Sequence, residues 1–174
     1  QVLCSRFGVN AIVNTGVAGS LDAELDICDV LVSTDAIQHD MDVTHLGYDV
    51  GKVPGLDTVA FPADEMLMKL AYEESERIRP GHTRMGRAAT GDQFVNVKAL
   101  KEKIIETTGA SCTEMEGGAI AQVAYVNQVP FVILRAISDK ADDSADLDYP
   151  TFEKLAAANC AAVTEALAKR LAEE

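Results

Sequence analysis

The chain has 174 residues, 48% apolar and 25% charged, proportions that suit a folded globular protein and argue against disorder as its main state. Its 15 Lys and Arg against 28 Asp and Glu leave a formal charge of -13, which repels phosphate backbones and anionic lipid, so neither nucleic acid nor a membrane surface is expected as a partner. No apolar run reaches the roughly 18 residues of a membrane span and no signal-peptide pattern opens the chain; Cys4, Cys28, Cys112 and Cys160 lack both metal-knuckle spacing and disulfide density, so a cytoplasmic protein with reduced thiols is expected.

The first predicted element lies in GVNAIVNTGVAGSL from Gly8, where an apolar run ending in glycines and a serine reads as a buried strand leading into a tight turn. DVLVSTDAI from Asp29 predicts a second β segment and HTRMGRAATGD from His82 a third. Between them, PADEMLMKLAYEESERIRPG holds an N-cap candidate at Asp64, apolar Met66, Leu67, Leu70 and Tyr72, and a Pro80-Gly81 stop, which predict an amphipathic helix. NVKALKEKIIETTG from Asn96 repeats the pattern, with Val97, Leu100, Ile104 and Ile105 on one face and Gly109 past the end. The alanine-rich run from Glu116 to Asn127 reads as a helix, and VPFVILRAISD after it has the continuous apolar core, Phe131 to Leu134, of a parallel strand covered on both faces. After an acidic loop from Asp139 to Asp148, a last helix is expected from about residue 152 to 171, with Leu155, Val163, Leu167 and Leu171 at helical spacing. Alternating strands and helices predict one three-layer α/β/α sandwich over residues 1–174.

In such folds ligands sit beyond the carboxyl ends of the strands, which directs attention to NTGVAGS, TGDQF, RAISD and the TEMEGGAIAQ that precedes a helix. Glu114 and Glu116 share a face if the chain is extended there and diverge once it turns helical. A carboxylate at this place can cap the helix, or it can accept hydrogen bonds from the adjacent hydroxyls of a ribose-like diol with Met115 packed on the sugar. Asp139, beside Ser138 and Arg135, either opens a loop or is a carboxyl that burial keeps protonated, able to donate to a leaving group. Gly16 and Gly19, with Thr15 and Ser20, could present backbone donors, although their spacing matches neither a Walker loop nor a dinucleotide fingerprint. His39, Asp40, Asp42 and His45 carry metal-binding chemistry, but they sit in an ordinary polar loop and no metal is expected. Phe94 either stacks on a flat base or joins the core.

Taken in order, NTGVAGS, HDMDVTHLGY, GDQFV, EMEGGAIA and VPFVILRAISD resemble the nucleoside phosphorylase superfamily over most of the chain, and within it the 5'-methylthioadenosine/S-adenosylhomocysteine nucleosidases. The resemblance implies a mixed, mostly parallel central sheet and hydrolysis of the N-glycosidic bond of those two nucleosides, releasing adenine and a 5-thioribose product without a cofactor. It also implies that Glu116 holds the ribose hydroxyls, Met115 lines the sugar, Asp139 protonates the purine at N7, Ser138 steadies Asp139 and Arg135 organises the sugar and water end. Phe94 would stack on the base and the Val95 backbone read its edge. Leu46, Tyr48 and Pro54 would lie on a loop, around residues 46–54, that crosses a homodimer interface to cover the 5'-thio group. Phosphorylases of the superfamily grip phosphate with an arginine and a serine where this chain has Asn14 and Val17, which favours water as the nucleophile and leaves Val17 as a substrate contact. The family begins with a further strand whose end carries a water-activating glutamate, and Gln1 falls after that place, so a fragment is expected. Phosphorolysis, a non-catalytic nucleoside-binding protein, and cleavage of futalosine or adenosine monophosphate are the alternatives.

Overall fold

The computed structural model describes residues 1–173, and its most deeply buried strand is the one formed by the most apolar stretch of the sequence. In this strand, β6 (Phe131–Asp139), all nine residues are buried. Its alternate residues serve opposite layers, as strand geometry requires. Val132, Leu134 and Ala136 pack with Leu67 and Leu70 of α1 (Glu65–Ile78) and with Ala156, Cys160 and Val163 of α4 (Ala145–Leu171). Phe131, Ile133 and Ile137 share the other cluster with Ala121 and Ala124 of α3 (Gly117–Val126). Each fully buried Leu or Ile contributes about 1.5–3 kcal/mol, so a strand apolar on both faces is held most strongly between two helical layers.

The remaining strands are β1 (Ile12–Ser20), β2 (Val30–Gln38), β3 (Phe61–Pro62), β4 (Thr83–Thr90) and β5 (Cys112–Glu114), arranged β3-β2-β4-β5-β1-β6. β1 with β6, β2 with β4, and β4 with β5 are parallel; β1 with β5, β2 with β3, and β2 with β6 are antiparallel. Val30 to Val32 of β2 face β6, whereas Asp35 and Ala36 of the same strand face β3, so the sheet curls until β6 closes back onto β2. The fold class is therefore the expected α/β/α arrangement on a mixed sheet.

Local chemistry explains most boundaries. Asp64 caps α1, its Oδ1 accepting from the Leu67 amide at 3.0 Å. The buried stripe of α1 is Leu67, Leu70, Ala71, Glu74 and Ser75, so the expected Met66 points outward instead. Gly109 ends α2 (Lys98–Thr108) in the left-handed conformation at φ 63°, with Ile104 buried beneath and Val97 exposed. The last helix begins at Ala145, well before residue 152, because Asp146 and Asp148 suit a helix N-terminus and so mark a first turn rather than a loop. Its buried stripe is Ala156, Cys160, Val163 and Leu167, one position along from the expected Leu155, which is exposed. The glycine stretch is also corrected: Gly16 and Gly19 lie within β1, not in a turn after it. The four thiols are unpaired, three of them buried. Among the described residues no helix is long and apolar enough to cross a membrane.

Candidate active site

Four segments remote in sequence converge where β1, β5 and β6 end beside the loop after β4. The cleft there is lined by Val17, Phe94, Val95, Met115, Glu116, Arg135, Ser138 and Asp139, eight of the residues singled out above. Ala18, Gly19, Gln93, Thr113, Glu114 and Tyr149 complete it.

Glu114 and Glu116 straddle the bend between β5 and α3, and the structure separates their roles. Glu114 ends the strand with its side chain 1% exposed, whereas Glu116 is the N-cap residue of α3 with its side chain 62% exposed. The capping is done by Glu114: its Oε2 accepts from the amides of Glu116 at 3.2 Å and Gly117 at 2.7 Å. Thr90 Oγ1 accepts from the Gly118 amide at 2.6 Å and donates to Glu114 Oε1. The glycine pair permits this approach, because a Cβ on Gly117 would stand 2.9 Å from Glu114 Oε2 and one on Gly118 2.8 Å from Thr90 Oγ1. Glu116 makes no capping bond of its own.

Arg135 is a buried cation surrounded by acceptors. Its Nη2 donates to Asn14 Oδ1 at 2.7 Å, to Glu114, and to Glu116 Oε2 at 3.3 Å, while Nη1 reaches the Val17 carbonyl at 3.3 Å. A side chain on Gly16 would collide with this guanidinium, which accounts for a glycine in mid-strand. With Nη1 and Nη2 committed to protein oxygens, Arg135 makes a poor phosphate clamp, and Asn14 is spent on the same guanidinium.

Asp139 is 1% exposed at the end of β6. Burial pushes its carboxyl above the ordinary aspartate range; the Ala141 amide and the Ser138 hydroxyl, each donating at 2.8 Å, pull it back in part, and the nearby charges of Asp148 and Asp142 push it up again. The acidic run after β6 thus favours a protonated Asp139. Ala141 holds a left-handed φ of 51°, an uncommon conformation for alanine that turns its amide back onto the acid. A Cβ on Gly19 would lie 2.7 Å from Asp139 Oδ1 and 2.8 Å from the Ala141 Cβ, so this second β1 glycine makes room for the acid and its turn.

Phe94 is half-exposed over the cleft, and Tyr149 meets it in a T-shaped pair with ring centroids 5.5 Å apart and planes at 76°. Tyr149 is a site residue that the sequence reading missed; its only signal is an aromatic just past the acidic run read as loop. Leu46, Tyr48 and Pro54 are exposed on the segment between β2 and β3, outside the cleft lining. Both aspartates of the HDMDVTH loop accept backbone amides, Asp42 Oδ1 from Thr44 at 3.0 Å and Asp40 Oδ2 from Asp92 at 2.8 Å, and His39 packs against Gly91. Among the described residues no group of His, Cys, Asp and Glu has metal-binding geometry.

Residues 1–169 match the family described as the phosphorylase superfamily. The 5'-methylthioadenosine/S-adenosylhomocysteine nucleosidase of Treponema pallidum is 40% identical over 98% of this chain and 72% of its own length. The aminodeoxyfutalosine nucleosidase of Campylobacter jejuni is 41% identical over 87% of this chain and 66% of its own. The crystal structure of the Neisseria meningitidis methylthioadenosine/S-adenosylhomocysteine nucleosidase in complex with methylthio-immucillin-A superimposes with a TM-score of 0.93 at 35% identity, over 97% of this chain and 73% of that one.

Proposed function

Because the chain belongs to the phosphorylase superfamily, and within it to the 5'-methylthioadenosine/S-adenosylhomocysteine nucleosidases, we propose that its cleft cleaves the N-glycosidic bond of these nucleosides with Asp139 as the acid and Glu116 as the ribose anchor. The observation that carries this reading is the division of labour between the two glutamates: Glu114 caps α3, so Glu116, which meets Arg135 through Oε2 alone at 3.3 Å, keeps an exposed carboxylate at the cleft. As the bond from the anomeric carbon to N9 breaks, its electron pair passes to the purine and the sugar becomes oxocarbenium-like. Asp139 delivers its proton to purine N7, and the oxygen of water bonds to the anomeric carbon while its proton passes to bulk water, from which Asp139 is reprotonated for the next turnover. The Glu116 carboxylate holds the 2'- and 3'-hydroxyls and, being negative, binds the cationic sugar best at the transition state. Phe94 and Met115 line the base and the sugar, the Val95 backbone reads the purine edge, Ser138 orients Asp139, Arg135 orders the sugar end, and Val17 borders it.

Leu46 and Tyr48 are exposed apolar groups on a loop outside the cleft, which suits a segment that, with Pro54, covers the 5' end of a neighbouring subunit's substrate in a cytoplasmic homodimer. The aminodeoxyfutalosine nucleosidase relative makes its own nucleoside the second substrate to compare.

The test is adenine release from methylthioadenosine by the full-length protein. Rates in phosphate-free and phosphate buffers are expected to agree within about twofold, since water is the nucleophile; ribose 1-phosphate products would sink the hydrolytic reading. The role of Gly19 supplies a second prediction. Gly19→Ala is expected to lower kcat about 10-fold to 100-fold by displacing the acid, with nucleoside binding kept. An unchanged kcat would show that Asp139 tolerates the shift or does not act.

A further inference from the structure

We infer that Glu114 is a positioning residue for ribose recognition, one whose buried carboxylate engages Arg135 and the first amides of α3 and thereby leaves Glu116 free for the substrate's hydroxyls. The inference rests on the role proposed for Glu116 above.

Two demands meet at this corner, and either one could draw a carboxylate away from the cleft. The first is the start of α3, whose amides need acceptors. They find Glu114 Oε2 and Thr90 Oγ1, groups from β5 and β4 rather than from the helix's own N-cap. The second is the Arg135 guanidinium, which is buried and attracts any carboxylate within reach. It contacts Glu114 directly and Glu116 Oε2 at 3.3 Å. With Glu114 in place, one cation faces two carboxylates, so Glu116 keeps acceptor capacity for a ligand. Thr90 completes the arrangement by donating to Glu114 Oε1 while accepting from Gly118.

Removing the Glu114 charge leaves Glu116 as the one carboxylate hydrogen-bonded to Arg135, in a setting where charges attract more strongly than in water. A glutamine at this place can still accept from the first amides of α3, so the change falls on Arg135, which draws the Glu116 carboxylate inward and occupies the lone pairs that the diol needs. The adenine end, built from Phe94, Val95 and Asp139, stays as it was. A residue that only stabilised the fold would weaken both ends alike.

The experiment compares Glu114→Gln with the parent full-length protein, measuring kcat/KM for methylthioadenosine and for its 2'-deoxy counterpart, together with Kd for adenine. The variant is expected to lower the ribo-to-deoxy ratio about tenfold, the loss of one good hydrogen bond, with adenine affinity within about twofold of the parent. An unchanged ratio, or equal losses in the ratio and in adenine affinity, overturns the inference. Thr90→Val tests it more gently, because the Glu114 charge remains while one of its donors is removed: the ratio should fall about threefold and return with Thr90→Ser, and a flat response in both overturns it. The parent separates the two readings. No adenine release by the parent defeats the proposed function, and the inference with it; a parent that discriminates ribose alongside a Glu114→Gln variant that discriminates equally defeats only the role of Glu114.

Discussion

Asp139→Asn is expected to slow adenine release about 100-fold to 10,000-fold, the usual worth of general acid catalysis, while nucleoside binding and the fold persist. An amide cannot deliver a proton to the departing purine. Asparagine nevertheless fills the same space and can still accept from the Ala141 amide, which now meets Asp139 Oδ1 at 2.8 Å. The parent's kcat should fall as pH rises through the raised Asp139 value, because only the protonated acid is competent, and that alkaline limb should vanish from the variant's residual rate.

Stability gives an independent check, and its sign follows from the direction of the shift. Burial raises the carboxyl above its unfolded value, so the fold favours the neutral form; the stability tied to this group is full below the unfolded pKa and is lost as pH rises through the folded one. Asparagine stays neutral throughout. The Tm difference, variant minus parent, is therefore expected to be more positive near about pH 8 than near about pH 5. A difference independent of pH would show that Asp139 is as fully ionised in the folded protein as in the unfolded chain over that range, so that its carboxyl is not raised. Turnover within about twofold of the parent would remove the residue from the mechanism.

Glu116→Gln carries the second large effect. The carboxylate can accept from two neighbouring hydroxyls at once, whereas the amide offers one oxygen and turns a donor toward the other hydroxyl. Hydrogen bonds to a charged group are worth about 1.5–3 kcal/mol each, so losing one or two should cut kcat/KM for the ribonucleoside about 100-fold to 1,000-fold. Because Glu116 does not cap α3 and its side chain is 62% exposed, Tm should hardly move, and adenine alone should bind as before. Equal losses for nucleoside and free base would return Glu116 to a structural role. The contrast with Glu114→Gln is informative, since both remove one carboxylate from Arg135 but only Glu116 is proposed to touch substrate.

Strong local signals account for what was legible in advance. The Asp64 cap, the Gly109 stop and the continuous apolar run of β6 each express a short-range rule, and all three hold in the structure. β5 spans three residues and β3 two, too few for a period to show. The acidic run 139–148 looked like loop because negative charge suits both a solvated loop and the first turn of a helix, and α4 uses it as the latter. Gly16 and Gly19 looked like a turn for a similar reason. Glycine marks both bends and close approaches, and here the close approaches are to Arg135 and Asp139 on the neighbouring strand.

By itself the sequence determined the alternation of strands and helices, the strand covered on both faces, and the residue types able to anchor a diol and donate a proton, because these depend on neighbours within a few positions. Only the tertiary structure decided which glutamate serves the helix and which serves the cleft. That choice depends on Arg135, Thr90 and Asn14, brought from three other strands to one corner, where the carboxylate at the end of β5 is buried against the cation and the amides of α3, and the one two residues on is left facing the cleft.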